Sequence, residues 1–342
     1  MFLKDVIALD IGSTYIKIMV GNKKSVTNCG LIKTPENSVM DDKIINAEAV
    51  KTAISEYLST NNIKAKGISF SVHGQDISIR HTEVPIMDEK GVMNSVQWDA
   101  SQNLPKDGED YYIDYEIIDR VSSPDKKIFK LLVVAVPKVK INQYLKIANM
   151  LNLELQSIDI TANCACRVFK NVYNSDKSIE SIGIIDIGNK NSNFTIIDKG
   201  KLFIEREIPF GISNILKEIV KRENINSHEA YKYFTENFSL TGNEEGTDTE
   251  KRIMMLLENA FSSFEKVIQF YVIGKSKRSL HQIYLIGGGS NIPGLSEYAG
   301  NYFNCPVNMV NSVSDLGLKT KLPSNCEHRF YISTLGLLLR KE

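Results

Sequence analysis

Neither sign of charge dominates this sequence. Lys and Arg together number 41, Asp and Glu together number 41, and the formal net charge is +0. That balance argues against a general nucleic-acid binder and a polybasic membrane surface, although it leaves room for a local patch. Long apolar runs are missing too, and none approaches the roughly 18 residues of a membrane span. The opening MFLKDVIALDIG carries Asp5 and Asp10 and no small-residue cleavage site, so it does not read as a signal peptide. Cysteine is scarce: Cys29, Cys164, Cys166, Cys305 and Cys326 are odd in number and scattered. That pattern speaks against a disulfide framework and for the reducing cytoplasm. Cys164 and Cys166 form a C-x-C without a nearby His or second Cys pair, so small core residues are the better reading than a metal site.

What is present is ordinary in bulk, with 42% hydrophobic and 24% charged residues, as in soluble globular proteins. A chain of 342 residues can bury one large core or two to three smaller ones. VIALDIG, YIKIMVG and VTNCGLIKT read as a three-stranded meander with turns at Gly12-Ser13 and Gly21-Asn22. A helix follows from Asn46, as N-cap, to Leu58, with apolar residues at helical spacing. GISFSVHG and ISIRHTEVP are two more strands. From Met87 the texture changes to an amphipathic helix stopped at Pro105, two strands (YYIDYEIIDRV and KIFKLLVVAVP) and a helix (VKINQYLKIANMLNL), together a small α/β module. Helical, charged sequence runs from about Ser213 to Gly274 and contains a loop, TGNEEGTDTE. QIYLIGGGSNIPGL gives strand, glycine turn and helix near the end.

The most informative feature is a repeat. Asp-Ile-Gly occurs at Asp10 to Gly12 and again at Asp186 to Gly188, each time between two apolar strands. A tight glycine turn offers backbone N–H groups to an anion such as phosphate. Ser13 and Thr14 add hydroxyls, and Lys17 can neutralise charge unless it lies on a solvated strand face. Aspartates repel phosphate but can hold a hydrated Mg²⁺ that bridges to it. Gly287-Gly288-Gly289 follows a strand and lets the backbone approach a flat ligand or a phosphate. It lacks the spacing of a dinucleotide fold, and no G-x-x-x-x-G-K-[ST] loop exists in the chain. Gly211, in PFGISN before a helix, is a weaker candidate.

The order D-I-G-S-T…K, D-I-G, I-G-G-G-S-N-I-P-G-L resembles the phosphate-1, phosphate-2 and adenosine motifs of the actin-like ATPase superfamily. Three further stretches, SVHGQDISIRHTEVP, SVQWDASQNLPKDGEDYYIDYEII and STLGLLLR, are similar to the PilM family of type IV pilus assembly proteins within it. The resemblance covers essentially the whole chain and is weakest from about 220 to 280. It implies an α/β actin-like ATPase fold of two ribonuclease H-like subdomains with an FtsA-type inserted small α/β subdomain. The first subdomain would comprise 1–85 and 157–181, the inserted one 86–156, the second 182–210 and 280–342, and a helical insert 211–279. Nucleotide would lie in the cleft. Asp10, Gly12, Ser13, Thr14 and Lys17 would serve one end of the phosphates, and Asp186, Gly188, Asn189 and Asn191 the other. Gly287, Gly288, Gly289 and Ser290 would pack on the adenosine with Gly211 nearby, and Asp10 and Asp186 would orient the metal through water.

The resemblance also implies ATP and Mg²⁺ as cofactors and a partner, the N-terminal cytoplasmic tail of a PilN-type inner-membrane protein. That tail would bind between the first subdomain and the inserted module, beside the pilus motor complex and on the inner face of the membrane. The second turn departs from the family pattern in reading G-N-K-N-S-N, which puts hydrolysis in doubt more than binding. No general base stands out, and Glu205 and Glu207 read better as solvated strand residues. Leu104, Tyr111, Tyr112, Tyr115 and Ile117 lie in the module expected to meet the partner, although apolar strand residues are usually core. Two other functions compete. An FtsA-like cell-division protein carries a linker and an amphipathic anchor, which the closing LGLLLRKE does not resemble. A sugar- or acetate-kinase-like phosphotransferase needs a carboxylate base beside a substrate hydroxyl.

Overall fold

The computed structural model describes residues 4–105, 110–123, 125–236, 238, 240, 247–273 and 278–340. The expected loop at 241–250 lies, for residues 241–246, outside them. The chain divides into two compact units, Met1–Asn22 with Gly30–Thr161, and Lys23–Cys29 with Ala162–Glu342.

In the first unit, β1 (Val6–Ile11) and β2 (Tyr15–Asn22) form an antiparallel hairpin. β3 (Ser25–Lys33), whose residues up to Cys29 group with the second unit, follows, then a short hairpin of β4 (Val39–Met40) and β5 (Lys43–Ile44). Helix α1 (Ala47–Thr60) starts behind Asn46, whose side-chain oxygen accepts from the Ala49 N–H, the cap that its sequence predicts. β6 (Gly67–Val72) runs parallel to β1. Next come β7 (Ser78–Pro85), α2 (Glu89–Asn103), β8 (Tyr111–Ser122), β9 (Lys127–Pro137), α3 (Lys138–Met150) and β10 (Glu154–Ile160). The large sheet has the order β3-β2-β1-β6-β10, and a separate small sheet has the order β7-β9-β8. In the small sheet Val84, Leu131 and Val133 bury against Val92 and Val96 of α2.

The module therefore starts earlier than residue 86, because β7 pairs with β9 from Ser78 to Pro85. It also ends earlier than residue 156. Tyr144 of α3 packs on Phe70 of β6 with ring centroids 5.3 Å apart, and β10 pairs with β6 from Glu154. Burial of that aromatic pair ties α3 to the large sheet.

The second unit opens with α4 (Thr161–Phe169) and α5 (Val172–Ser175). It continues through β11 (Ser181–Ile187), β12 (Ser192–Asp198), β13 (Lys201–Ile208), α6 (Ile212–Glu223), α7 (Ser227–Glu236) and α8 (Asp248–Val272). β14 (Gln282–Ile286), α9 (Leu295–Phe303), β15 (Val307–Met309) and α10 (Ile332–Leu338) complete it. Residues from Ala162 group here and not with the first sheet. A cause is visible at Gly336 of α10, where a Cβ would stand 2.3 Å from the Cys164 carbonyl oxygen, so two backbones touch. The sheet order is β13-β12-β11-β14-β15. It repeats the first sheet in order: the founding strand has an antiparallel neighbour and a further strand on one side, and two parallel strands on the other. Residues of α6, α7 and α8 share one apolar core with this sheet, through contacts such as Phe264 on Phe194. Cys29 and Cys326 join as a disulfide across 297 residues of chain, where the sequence suggests no pairing. Among the described residues, no helix is long and apolar enough to cross a membrane.

Candidate functional site

The two Asp-Ile-Gly turns close in the same way. The Gly12 N–H donates to the Tyr15 carbonyl at 3.1 Å, and the Gly188 N–H donates to the Asn191 carbonyl at 3.0 Å. A Cβ on Gly12 would meet the Tyr15 oxygen at 2.9 Å, and one on Gly188 the Asn191 oxygen at 2.6 Å. Glycine is required at both by close approach of backbone. Both glycine N–H groups are thus engaged inside the turn, so the phosphate-binding nest expected there cannot include them. Ser13 and Thr14 stand half-buried at the first bend, which Thr34 braces by donating to the Gly12 carbonyl at 2.7 Å.

Strand register explains the chemistry of the first turn. Asp10 pairs with Lys17 on one side and Ser71 on the other, and Ser71 pairs with Asp159. Paired residues share a face, so Lys17, Asp10, Ser71 and Asp159 form a row near the C-terminal ends of the parallel strands. Ligands of open α/β sheets collect at such ends. Lys17 Nζ donates to Asp10 Oδ2 at 2.9 Å, with the Asp10 side chain 5% exposed. Lys17 is therefore drawn to the carboxylate and does not lie on a solvated face.

Behind Asp10 lies a network that sequence reading missed. His73 Nδ1 stands 3.9 Å from Asp10 Oδ1, and His73 Nε2 stands 3.2 Å from Asp42 Oδ1. Burial alone lowers the His73 pKa, but the Asp42 hydrogen bond and the charges of Asp10 and Asp42 outweigh it and lift it to about 9. His73 is then an imidazolium at neutral pH. Asp41 and Asp42 both adopt left-handed backbone, with φ of 47° and 57°, which is uncommon away from glycine and aims Asp42 inward. The nearest signal in the sequence was a polar SVHG ending an apolar strand.

The second unit assembles the other candidates. Asp186 pairs with Asn193, which pairs with Glu207. Gly287 has φ +80°, and a Cβ there would lie 2.1 Å from Asp186 Oδ1. A Cβ on Gly289 would likewise lie 2.1 Å from Ile187 Cγ2. The Ser290 hydroxyl turns inward and donates to the Gly287 carbonyl at 2.7 Å. Gly211 presses on the Asn189 backbone, its hypothetical Cβ 2.4 Å from the Asn189 oxygen. The first donors of α6 are taken by the second turn, Ile212 N–H by Gly188 and Ser213 N–H by Asn189. Asn191 donates to Glu207 at 3.0 Å, so Glu207 is a half-buried partner of the turn and not a solvated strand residue. Within each unit the predicted residues come together; Lys190 points outward.

Carboxylates beside glycine turns are hard oxygen donors of the kind that suit Mg²⁺. Among the described residues no group of three His, Cys, Asp or Glu side chains converges to ligate a metal directly.

The chain has the actin-like ATPase fold. It is similar to MreB 5 of Spiroplasma citri bound to AMPPNP, with a TM-score of 0.54, 14% identity, and 98% of this chain and 96% of that chain covered. It is also similar to the ethanolamine utilization protein EutJ of Carboxydothermus hydrogenoformans, with a TM-score of 0.55, 12% identity, and coverage of 99% and 90%. Similarity is higher to a PilM–PilN type IV pilus biogenesis complex, with a TM-score of 0.82, 16% identity, and 98% of both chains covered. The family model of the type IV pilus assembly protein PilM matches residues 8–342. The chain belongs to the PilM family.

Proposed function

We propose that this chain is a cytoplasmic ATP-binding adaptor of a type IV pilus assembly machine. The observation that carries the nucleotide reading is the part-buried Asp10–Lys17 pair at a glycine turn, on the row at the strand ends. When bound, Mg²⁺ would supply charge neutralisation of the phosphates. Asp10 and Asp186 would orient it through water, and Lys17, Ser13 and Thr14 would meet phosphate oxygens. Asn189 and Asn191 would contribute from the second turn, which Gly188 shapes. Gly287 to Ser290, with Gly211, would pass close to the adenosine. The match to MreB 5 bound to AMPPNP supports this reading.

The partner is a PilN-type N-terminal tail, supported by the PilM–PilN complex as a fold match. Its seat would be the first unit, between the large sheet and the small module. Tyr112 and Ile117 of β8 and Trp98 of α2 are exposed apolar side chains of that module and are available to a peptide. Nucleotide would change the affinity for that tail, because a ligand shifts a conformational equilibrium only through differential affinity. Calorimetry of ATP·Mg²⁺, with and without a synthetic tail peptide, tests both halves. Wild type is expected to bind ATP, Asp10→Ala and Lys17→Ala to lose it, and peptide affinity to change with nucleotide. Peptide binding without any ATP binding would leave a scaffold in place of an adaptor.

A further inference from the structure

Two chain crossings join the small module to the large sheet of the first unit. One is residues 73–77, leading from β6 into β7; the other leads from β9 at Pro137 into α3. The Lys140 ammonium, at the start of α3, stands where the two meet. Lys140 Nζ donates to the His73 carbonyl at 2.7 Å and to the Asp76 carboxylate, and its side chain is 2% exposed. Gly74 adopts φ +134°, and a Cβ there would lie 2.3 Å from Lys140 Nζ and 2.8 Å from Asp76 Oδ1. The first crossing is thus wrapped on the ammonium with no room for a side chain. One helical turn after Lys140, Tyr144 anchors α3 on Phe70. On its other side the same loop presents the His73 imidazole to Asp10 and to Asp42. One residue therefore touches the candidate ligand carboxylate with its ring and the module junction with its carbonyl.

We propose that the His73 loop is the element through which the Asp10 carboxylate is coupled to the attachment of the small module. A ligand that draws Asp10 away from His73 leaves the imidazole facing Asp42 alone. The ring and its backbone then shift together, and the carbonyl that Lys140 holds shifts with them. Lys140 sits on the second crossing, in α3, and binds the first, so a displacement at one is felt at the other. Its ligand side rests on the nucleotide reading above; its mechanics rest only on the contacts just described.

The test is hydrogen–deuterium exchange on the full chain without nucleotide, comparing wild type, Asp10→Asn, His73→Gln and the double variant. Asp10→Asn should raise exchange roughly three-fold or more in residues 74–80 and 139–144, with β11 and β12 unchanged. In the His73→Gln background the Asp10 change should add nothing, since coupled residues are non-additive. A response confined to β1 and β2, or one that adds in full in the double variant, overturns the proposal. Should Asp10→Asn not fold, ATP·Mg²⁺ on wild type against Lys140→Met carries the test. The ligand should alter exchange at 139–144 in wild type, and Lys140→Met should abolish that response. ATP that binds by calorimetry yet leaves residues 74–80 and 139–144 unmoved sinks the coupling and spares the functional reading. Absence of ATP binding, with the Asp10–His73 non-additivity intact, does the reverse.

Discussion

The two Asp-Ile-Gly hairpins share a backbone and differ in charge. In both, the aspartate is the penultimate residue of a central strand, the glycine N–H closes the bend on the residue three positions later, and a parallel strand lies alongside. Across the sheet the first aspartate faces Lys17, whereas the second faces Asn193 and, one strand on, Glu207. The first also has an imidazolium behind it. Against the second, glycine backbone packs on the carboxylate at Gly287. The two hairpins share a shape, and what distinguishes them is the lysine across from Asp10 and the glycine backbone against Asp186.

Removing the aspartate is the strongest way to break that comparison. Asp10→Ala leaves Lys17 and His73 facing each other's charge without the anion. Loss of one partner of a buried ion pair costs about 3–5 kcal/mol. Lys17 retains 23% exposure and can turn to water, so about 2–4 kcal/mol is expected here. Asp186→Ala, which strands no lysine across the sheet, should cost clearly less. Equilibrium urea denaturation of the two variants compares them directly. Equal losses would show that the charge division is not what the hairpins differ in.

The second effect is pH. The pKa of His73 rises from 6.5 to about 9 on folding. The folded state holds its proton more tightly, so the stabilisation is full below pH 6.5 and is lost as pH rises towards 9. That shift corresponds to at most about 3 kcal/mol, less a discount for the partial exposure of the ring. Denaturation midpoints of the nucleotide-free protein from pH 6 to pH 9.5 should fall in wild type and flatten in His73→Gln. A slope unchanged in the variant would move the titration elsewhere.

How much of this was legible in the sequence follows from distance along the chain. Asp10, Gly12 and Lys17 lie within eight residues and the Asp186 turn is equally local, so the repeat could be read directly. His73 meets Asp10 from 63 residues away, and Asp42 meets His73 from 31 residues away, through a parallel pairing and a left-handed Asp-Asp turn that no local pattern announces. The same cause shifted the module boundary. ISIRHTEVP reads as a strand either way, and only its pairing with β9 decides which sheet it joins. Glu207 read as solvated because strand alternation shows a face and not what covers it. Its engagement by Asn191 depends on the bend of the turn.

A third prediction tests the shared backbone. Alanine at Gly12 or Gly188 puts a Cβ against a carbonyl oxygen of its own turn, and the approach is closer at Gly188, 2.6 Å against 2.9 Å. Over-packing of this kind costs typically about 1–3 kcal/mol. Both variants should be destabilised, Gly188→Ala more than Gly12→Ala, by thermal or urea melts. The reverse order would mean that the two bends are not equivalent in their tolerance.

The smallest effect sharpens the comparison by transplanting charge. Asn193 occupies the register position of the second hairpin that Lys17 occupies in the first. Asn193→Lys would place an ammonium opposite Asp186 and beside Glu207, at a half-buried site. Partly exposed ion pairs contribute about 0–1 kcal/mol, so stability should change by no more than that in either direction. The informative readout is ATP·Mg²⁺ affinity. If the second turn works through shape alone, a cation there competes for Asp186, and affinity should hold or fall slightly. If the turn merely lacks a cation, affinity should rise by a few-fold, the equivalent of about 1 kcal/mol. A rise would mean that the two hairpins are alike in what they can do and differ only in which one was given the lysine.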